Sequence, residues 1–158
     1  MQPAVDRLRQ LAIEAQSRYA RLVLVVGAHG TGKTRLLRGF ATAQGLPILE
    51  LGADLPPALF DIPSRKRPVT VVDVLGDMLR SAADVAVVDN IEVLFDPQLR
   101  IDPLKLFHDH ARNRVIIAAW PGGIDGDVLT FAEAGHPEFR SYSSPDAVLF
   151  AIAQHQDR

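Results

Sequence analysis

A glycine-rich segment, GAHGTGKT from Gly27 to Thr34, has the residue types and spacing of a phosphate-binding loop, G-x-x-x-x-G-K-[ST]. In such a loop, successive backbone N–H groups point inwards at phosphate oxygens, and glycines let the backbone approach them closely. The helix that follows directs the positive end of its dipole at the same phosphates. Lys33 is then expected to reach the β- and γ-phosphates, while the Thr34 hydroxyl binds Mg²⁺. The spacing therefore predicts a nucleotide site in which Lys33 is a catalytic residue.

The residues predicted to contact the nucleotide belong to this loop and to the first turn of the helix after it. They are Gly27, His29, Gly30, Thr31, Gly32, Lys33, Thr34 and Arg35. His29 occupies a variable position of the loop, so a solvent-facing side chain is the alternative for it. The apolar run just before the loop, LVLVV, is typical of a strand buried on both faces. A strand before the loop and a helix after it are the context in which this pattern binds phosphate.

A second acidic position follows another buried strand. The segment VAVVDN, Val85 to Asn90, places Asp89 at the carboxyl end of its strand, where open α/β sheets bind ligands. Asp89 is predicted to accept a hydrogen bond from Mg²⁺-bound water and so to take part in both catalysis and metal binding. The alternative is an N-cap aspartate for the following turn, and the two roles can coexist.

The acid that would activate water is less evident. Many ATPases of this architecture place a glutamate directly after the aspartate, where this chain has Asn90, which can orient a water but is a poor base. We predict Glu92 as the catalytic base, with a surface residue as the alternative for it, and Glu50, at the end of the second strand, as a weaker candidate. The third core strand ends in Trp120, where a polar γ-phosphate sensor is common, and Trp120 is expected to pack in the core.

These residues need a sheet to position them, and strand and helix patterns alternate along the chain. We predict strands at 22–26, 47–51, 85–90, 114–120 and 139–143, and helices at 3–19, 33–43, 69–82, 103–111 and 145–154. The proline-rich stretch 52–68 is expected to be loop with at most one helical turn, and PGG at 121–123 a turn. Alternation of this kind indicates an α/β fold, a three-layer P-loop NTPase sandwich with a mostly parallel five-stranded sheet.

Bulk properties restrict the function further. A length of 158 residues fits one P-loop domain, 1–158, with residues 1–20 as an N-terminal helix packed on the core. The net charge of −2 offers no global attraction to nucleic acid or membrane, and the absence of cysteine excludes disulfides and thiolate metal sites. No apolar run reaches the roughly 18 residues that span a bilayer. We therefore expect a cytoplasmic protein with no membrane partner.

Beyond these motifs, longer stretches resemble a known family. GAHGTGKT and VAVVD look like the Walker A and Walker B motifs of AAA+ and related P-loop ATPases. Two segments, DNIEVLFDPQLRIDPLKLFHDHARNRVIIAAWPGG (89–123) and LTFAEAGHPEFRSY (129–142), look like the BrxF family, small P-loop proteins of type 3 BREX systems that protect bacteria against phage. The resemblance covers nearly the whole chain. It implies ATP and Mg²⁺ as cofactors and the other proteins of the same defence system as partners.

The chain also departs from the wider AAA+ pattern. The residues after Ser144 suffice for a single helix, so no helical lid domain is expected. Candidates for an arginine donated to a neighbour's γ-phosphate are Arg112, Arg114 and Arg140, each with a solvated surface role as the alternative. The basic run SRKRP, 64–68, is either a solvated loop or a mobile loop near the nucleotide or a partner, which leaves direct DNA contact open.

Three functions fit these observations. The first is a slow Mg²⁺-dependent ATPase, weak alone and completed by homo-oligomer or partner, that switches or assembles a defence complex. The second is a non-catalytic nucleotide-binding module, suggested by Asn90. The third is a small-molecule kinase, against which stands the lack of arginines after the third core strand. ATP rather than GTP rests on the resemblance, because the guanine-reading motif N-K-x-D is absent.

Overall fold

The computed structural model describes residues 2–132 and 139–152 of the chain. Its helices are α1 (Gln2–Ala15), α2 (Lys33–Gln44), α3 (Leu51–Leu59), α4 (Arg67–Arg80) and α5 (Pro103–His110). Its strands are β1 (Leu22–Gly27), β2 (Ile48–Glu50), β3 (Val85–Asp89), β4 (Val115–Asp125), β5 (Val128–Phe131), β6 (Arg140–Ser143) and β7 (Val148–Ala151). None of the helices in the described part of the chain is long and apolar enough to cross a membrane.

The centre of the molecule is a parallel sheet of five strands in the order β2-β3-β4-β1-β7. Every residue of β1 is buried, as its continuous apolar sequence predicts. Leu22 and Leu24 pack into a cluster with α3, α4 and α5, whereas Val23 and Val25 pack into a second cluster with α1 and α2. Since neighbouring residues of one strand serve opposite clusters, helices cover both faces, and the predicted three-layer α/β class is confirmed.

Helices α1 and α2 form the layer that carries the glycine loop. The predicted apolar stripe of α1 is buried as a whole: Val5, Leu8, Leu11, Ala12 and Ala15. The helix ends at Ala15 rather than near residue 19. Helix α2 ends as predicted at Gly45, whose left-handed backbone (φ 69°) donates its N–H to the carbonyls of Ala41 and Thr42.

The proline-rich stretch after β2 was expected to be loop, and this prediction is wrong. Helix α3 spans nine residues there and contains Pro56 and Pro57. Its leucines at 51, 55 and 59 follow helical spacing and are all buried in the main apolar cluster. Burial of this stripe offsets the backbone hydrogen bonds that the two prolines cannot make.

The predicted turn at 121–123 is also wrong, because β4 continues through it to Asp125. There β4 pairs with β5 antiparallel, Gly122 opposite Phe131 and Gly123 opposite Thr130, and β5 pairs in turn with β6. The reversal falls instead at Gly126, which has φ 62°. The extension brings the sheet to seven strands.

The last segment differs from prediction too. Instead of a helix over 145–154, the chain forms β7, which runs parallel to β1 with Val148 opposite Val23. Pairing with β1 satisfies those backbone groups of β7, at the edge of the sheet, that face β1. Residues 153 and 154 of the predicted helix lie outside the described residues. The short strand predicted at 139–143 is confirmed as β6.

Candidate functional site

The glycine loop lies between the carboxyl end of β1 and the start of α2. Gly30 and Gly32 have left-handed backbones, with φ of 82° and 101°, a conformation that residues with a Cβ rarely adopt. Gly27 is buried under the loop, and a Cβ there would overlap the hydroxyl of Thr31. That hydroxyl donates to the carbonyl of Ala28 over 2.7 Å, so Thr31 braces the loop from within.

Lys33 folds back onto the loop. Its Nζ donates to the carbonyl oxygens of Gly27 and Ala28 over 2.8 and 2.9 Å. Burial lowers the pKa of the Lys33 ammonium, against a smaller opposite effect of the Glu92 and Asp89 carboxylates. The lysine is therefore a partly desolvated cation beside two acids.

Asp89 is the buried carboxylate of the site. Only 2% of its surface is exposed, and it is the one charged residue buried among those the structure describes. Its Oδ1 accepts from the backbone N–H of Asn90 over 2.8 Å. Its Oδ2 is buried with no hydrogen-bond partner in the described chain. A buried carboxylate oxygen without a partner is costly, so a water, a cation or another polar group is expected to satisfy it.

One cavity of about 480 Å³ brings most of the predicted residues together. Its lining comprises His29, Gly30, Gly32, Lys33, Thr34, Arg35, Arg38, Asp89, Asn90, Glu92, Ala119 and Pro121. Gly27 and Thr31 are absent from this lining. Gly27 lies beneath the loop, and the Thr31 hydroxyl is hydrogen-bonded within it. His29 and Arg35 are exposed at the rim. The cavity thus places loop, lysine, hydroxyl and two acids around one space.

The oxygen donors of the cavity fit Mg²⁺. Thr34 offers a hydroxyl and Asp89 an unpartnered carboxylate oxygen, which are hard ligands of the kind Mg²⁺ prefers. Within residues 2–132 and 139–152 no three His, Cys, Asp or Glu side chains form a metal cluster. A cation held here would complete its coordination with water and phosphate oxygens, as Mg²⁺ does at phosphate sites.

Glu50 lies outside this lining but next to it. It is the register partner of Asp89 at the ends of β2 and β3. Its Oε2 accepts a hydrogen bond from Nδ2 of Asn90. Asn90 has a left-handed backbone, φ 55° and ψ 54°, at the start of a 3₁₀ helix over Ile91–Phe95.

Three lining residues, Arg38, Ala119 and Pro121, were missed by the sequence analysis. Arg38 lies one helical turn after Thr34, so its spacing could have placed it on the loop side of α2. Pro121 is the register partner of Gly27 across β1 and β4. Only strand pairing reveals that neighbour.

Trp120 packs in the core, as predicted. It is fully buried, its Nε1 donates to the carbonyl of Thr130 over 2.9 Å, and its ring meets that of Phe95 edge to face at 5.2 Å. Phe95 in turn stacks on Phe131. Trp120 therefore anchors the β4–β5 extension to the 3₁₀ helix that follows Asp89.

The arginines proposed as donors to a neighbour do not line the cavity. Arg140 donates to the carbonyl of Ile101 over 2.9 Å and lies over the ring of Phe95. Arg112 lies over the ring of Tyr19, with its Cζ 5.1 Å from the ring centre. The Nε of Arg114 is buried and lacks a partner in the described chain. Arg112 and Arg140 are thus engaged within the chain.

The basic run 64–68 lies elsewhere. It forms a short 3₁₀ helix, Ser64–Lys66, and the start of α4. Its residues Ser64, Arg65 and Pro68 line a separate cavity of about 420 Å³ with Gln98 and Arg100. This cavity shares no residue with the lining around Lys33, so the run is not part of that wall.

A larger cavity, of about 540 Å³, lies between α4 and strands β2 and β3. Its wall is mainly apolar, and its charged residues are the acids Asp54 and Asp77. A phosphate-bearing ligand is stabilised by cations, and this lining contains no basic residue. The chemistry therefore favours the cavity at the glycine loop.

Comparison with known proteins identifies the fold. The structure of C. elegans PCH-2 has a TM-score of 0.51 at 14% identity and covers 98% of this chain but 43% of that one. The crystal structure of a DNA replication initiation factor has a TM-score of 0.52 at 18% identity and covers 93% of this chain and 44% of that one. This chain thus spans less than half the length of either.

Sequence comparison adds no family. No protein-family model matches the chain. No curated protein matches it either. The likeness of the structures is one of fold: an α/β domain with a mostly parallel sheet flanked by helices, similar to the AAA+ P-loop ATPase domains.

Proposed function

We propose that this protein binds ATP with Mg²⁺ at the glycine loop and is a slow ATPase that acts as a switch or assembly component. The observation that carries the proposal is the cavity shared by Lys33, Thr34 and Asp89, with the Asp89 Oδ2 left unpartnered. A cation and a phosphate would together satisfy that oxygen and the loop N–H groups.

Each residue of the cavity has a defined task in this proposal. The loop N–H groups and the start of α2 bind the phosphates. Lys33 leaves the carbonyls of Gly27 and Ala28 and neutralises the β- and γ-phosphates. Thr34 and Asp89 hold Mg²⁺, which neutralises charge on the phosphate oxygens when bound.

Slow turnover follows from what the cavity wall contains. Its cations are Lys33, Arg35 and Arg38, and both arginines are exposed on α2. Phosphoryl transfer depends on positioning and charge neutralisation, and an additional arginine can raise kcat by about 10³–10⁵. We infer that a second copy or a partner protein supplies further charge and excludes water.

The cellular role is a finer proposal. The stretches 89–123 and 129–142 resemble the BrxF family, so we propose a bacterial phage-defence complex as the setting and its other proteins as partners. Nucleotide state would then control docking by ordering residues around the loop. Co-purification of the untagged system with a tagged copy of this protein, with and without ATP, tests this part.

The decisive experiment is phosphate release with Mg²⁺ and ATP over a wide range of protein concentration. Wild type is compared with Lys33→Ala and with Lys105→Ala, a surface lysine paired with Asp109 on α5. Release that grows faster than linearly with protein, vanishes in Lys33→Ala and persists in Lys105→Ala supports an ATPase completed between subunits. Rapid turnover by dilute monomer contradicts that part of the proposal.

A second function is favoured by one observation. Asn90 lies directly after the aspartate, at a position where many ATPases have an acid. Its side-chain amide donates a hydrogen bond to the Glu50 carboxylate. The alternative is a nucleotide-gated module that binds ATP without hydrolysing it. Tight binding of ATP with no phosphate release, alone or with partners, would favour this module.

A further inference from the structure

Glu50 and Asp89 lie side by side at the carboxyl edge of the sheet, as register partners at the ends of β2 and β3. Two residues earlier, Ile48 and Val87 both pack into the apolar cluster with α1 and α2. Because side chains alternate along a strand, Glu50 and Asp89 face that same side. Glu50 is thus directed into the layer that contains the glycine loop.

Asn90 restrains the Glu50 carboxylate. Its Nδ2 donates to Oε2 of Glu50, and its left-handed backbone is one that few non-glycine residues adopt. A Cβ on Gly52 would lie 3.3 Å from the Cβ of Asn90, so a larger residue than glycine at position 52 would crowd the asparagine. Since Asn90 lines the cavity, the Glu50 carboxylate lies one hydrogen bond from the cavity wall.

Glu92, the other acid near the site, has a different neighbour. It contributes the largest effect that raises the Lys33 pKa, ahead of Asp89. Glu92 is also exposed, whereas Glu50 is half-buried. Glu92 therefore interacts electrostatically with the lysine, whereas the Glu50 carboxylate is held by the hydrogen bond from the Asn90 amide.

We propose that Glu50, and not Glu92, is the catalytic base, and that Asn90 is a positioning residue that restrains it. This inference rests on the proposed ATPase function. The water oxygen bonds to the γ-phosphorus while the bond from that phosphorus to the β–γ bridging oxygen breaks. The electron pair of that bond leaves with ADP, and the water proton passes to a Glu50 carboxylate oxygen and then to solvent. The products are ADP and inorganic phosphate.

The test measures steady-state phosphate release and the binding of a fluorescent ATP analogue on the same preparations. The variants are Glu50→Gln, Glu92→Gln, Asn90→Gly and the double variant Asn90→Gly with Glu50→Gln. Glycine removes the amide and suits the left-handed backbone. If Asn90→Gly does not have the wild-type circular dichroism spectrum, Asn90→Asp is measured in its place, because an ionised aspartate cannot donate a hydrogen bond to a carboxylate. Glu14→Gln, an exposed acid of α1, is the matched control.

The expected pattern separates catalysis from structure. Glu50→Gln lowers kcat at least about tenfold, since a general base contributes about 10²–10⁴. Its KM and its affinity for the analogue stay within about twofold of wild type. Asn90→Gly raises kcat several-fold with unchanged KM, and the double variant loses this gain. Glu92→Gln retains more turnover than Glu50→Gln, and Glu14→Gln behaves as wild type.

Other outcomes overturn the inference in distinguishable ways. Full turnover in Glu50→Gln, or an Asn90→Gly variant that binds the analogue yet is no faster than wild type, excludes the assigned roles. If wild type and Asn90→Gly both bind the analogue and neither releases phosphate, the inference fails while nucleotide binding stands. If neither the wild type nor any variant binds the analogue, the proposed function fails, and the inference fails with it.

Discussion

The Nζ of Lys33 lies 2.8 Å from the carbonyl oxygen of Gly27, so the last part of the loop is hydrogen-bonded to its first residue. The same ammonium also donates to Ala28, and both acceptors are backbone carbonyls. A phosphate therefore competes with the loop's own oxygens for this lysine. The bonds to the carbonyls have one charged partner, whereas a bond to phosphate has two of opposite sign, and this added attraction favours the exchange.

Lys33→Ala should weaken ATP binding by about 10- to 100-fold, since a hydrogen bond to a charged group contributes about 1.5–3 kcal/mol. Titration with a fluorescent ATP analogue measures the loss. Lys105→Ala should bind like wild type, because its ion pair with Asp109 is exposed. Equal affinities of Lys33→Ala and wild type would show that the loop does not hold the phosphates.

Asp89→Asn should have opposite effects on stability and on binding. The substitution keeps an oxygen for the Asn90 N–H and removes a buried charge whose Oδ2 has no partner in the described chain. We expect the free energy of unfolding without nucleotide to rise by about 1 kcal/mol, because an unpaired buried charge costs more than the unpaired amide NH₂ that replaces it.

In the same variant, the dependence of nucleotide affinity on Mg²⁺ should be lost. Urea denaturation and titrations at several Mg²⁺ concentrations measure the two effects. Asp84→Asn, on the exposed turn before β3, serves as the control. A destabilised Asp89→Asn with unchanged Mg²⁺ dependence would mean that Asp89 is structural.

Gly122→Ala and Gly123→Ala form a matched pair in β4. A Cβ on Gly122 would overlap the carbonyl oxygen of Thr130, whereas a Cβ on Gly123 would lie 3.6 Å from its Oγ1, an ordinary contact. We expect Gly122→Ala to lower the free energy of unfolding by at least about 2 kcal/mol and Gly123→Ala by less than about 0.5 kcal/mol. Thermal and urea unfolding measure the difference, and similar stabilities would contradict the β4–β5 register.

Tyr142 should make stability sensitive to alkaline pH. Burial is the main cause that raises the pKa of its hydroxyl from 10.0 to about 12, and Asp102, which accepts from that hydroxyl over 3.2 Å, acts in the same direction. A folded pKa above the unfolded one gives a stabilisation that is complete below pH 10.0 and is lost as the pH rises through about 12.

Tyr142→Phe removes this titrating group. Its free energy of unfolding should therefore decline less than that of wild type over this alkaline range, which urea denaturation at several pH values measures. Parallel declines in the two proteins would show that Tyr142 ionises alike in the folded and unfolded chains.

Local pattern was enough to predict the loop and much of the fold. The spacing from Gly27 to Thr34 identified the loop, and the stripe from Val5 to Ala15 identified the buried face of α1. Four strands of the parallel sheet, β1 to β4, followed from apolar runs that alternate with helical patterns, whereas the fifth, β7, was predicted as a helix. In each case the information lies within a short segment, so the sequence carries it directly.

The wrong predictions concern contacts between distant segments. Pro56 and Pro57 argued locally against α3, yet the leucines around them are buried against strands from elsewhere in the chain. The glycines of β4 were predicted as a turn because the strand with which they pair, β5, was not predicted. Strand β7 was predicted as a helix because its pairing partner, β1, lies near the other end of the chain and local pattern does not reveal it.

The sequence by itself determined that a glycine loop with the spacing of a phosphate-binding loop follows a buried strand and that an aspartate ends another. Only the tertiary structure decided that an oxygen of Asp89 has no partner among the described residues and that the amide of Asn90 donates to Glu50. The physical reason is distance along the chain: a periodic pattern records which face of an element is buried, whereas strand register decides which side chains from separate elements meet.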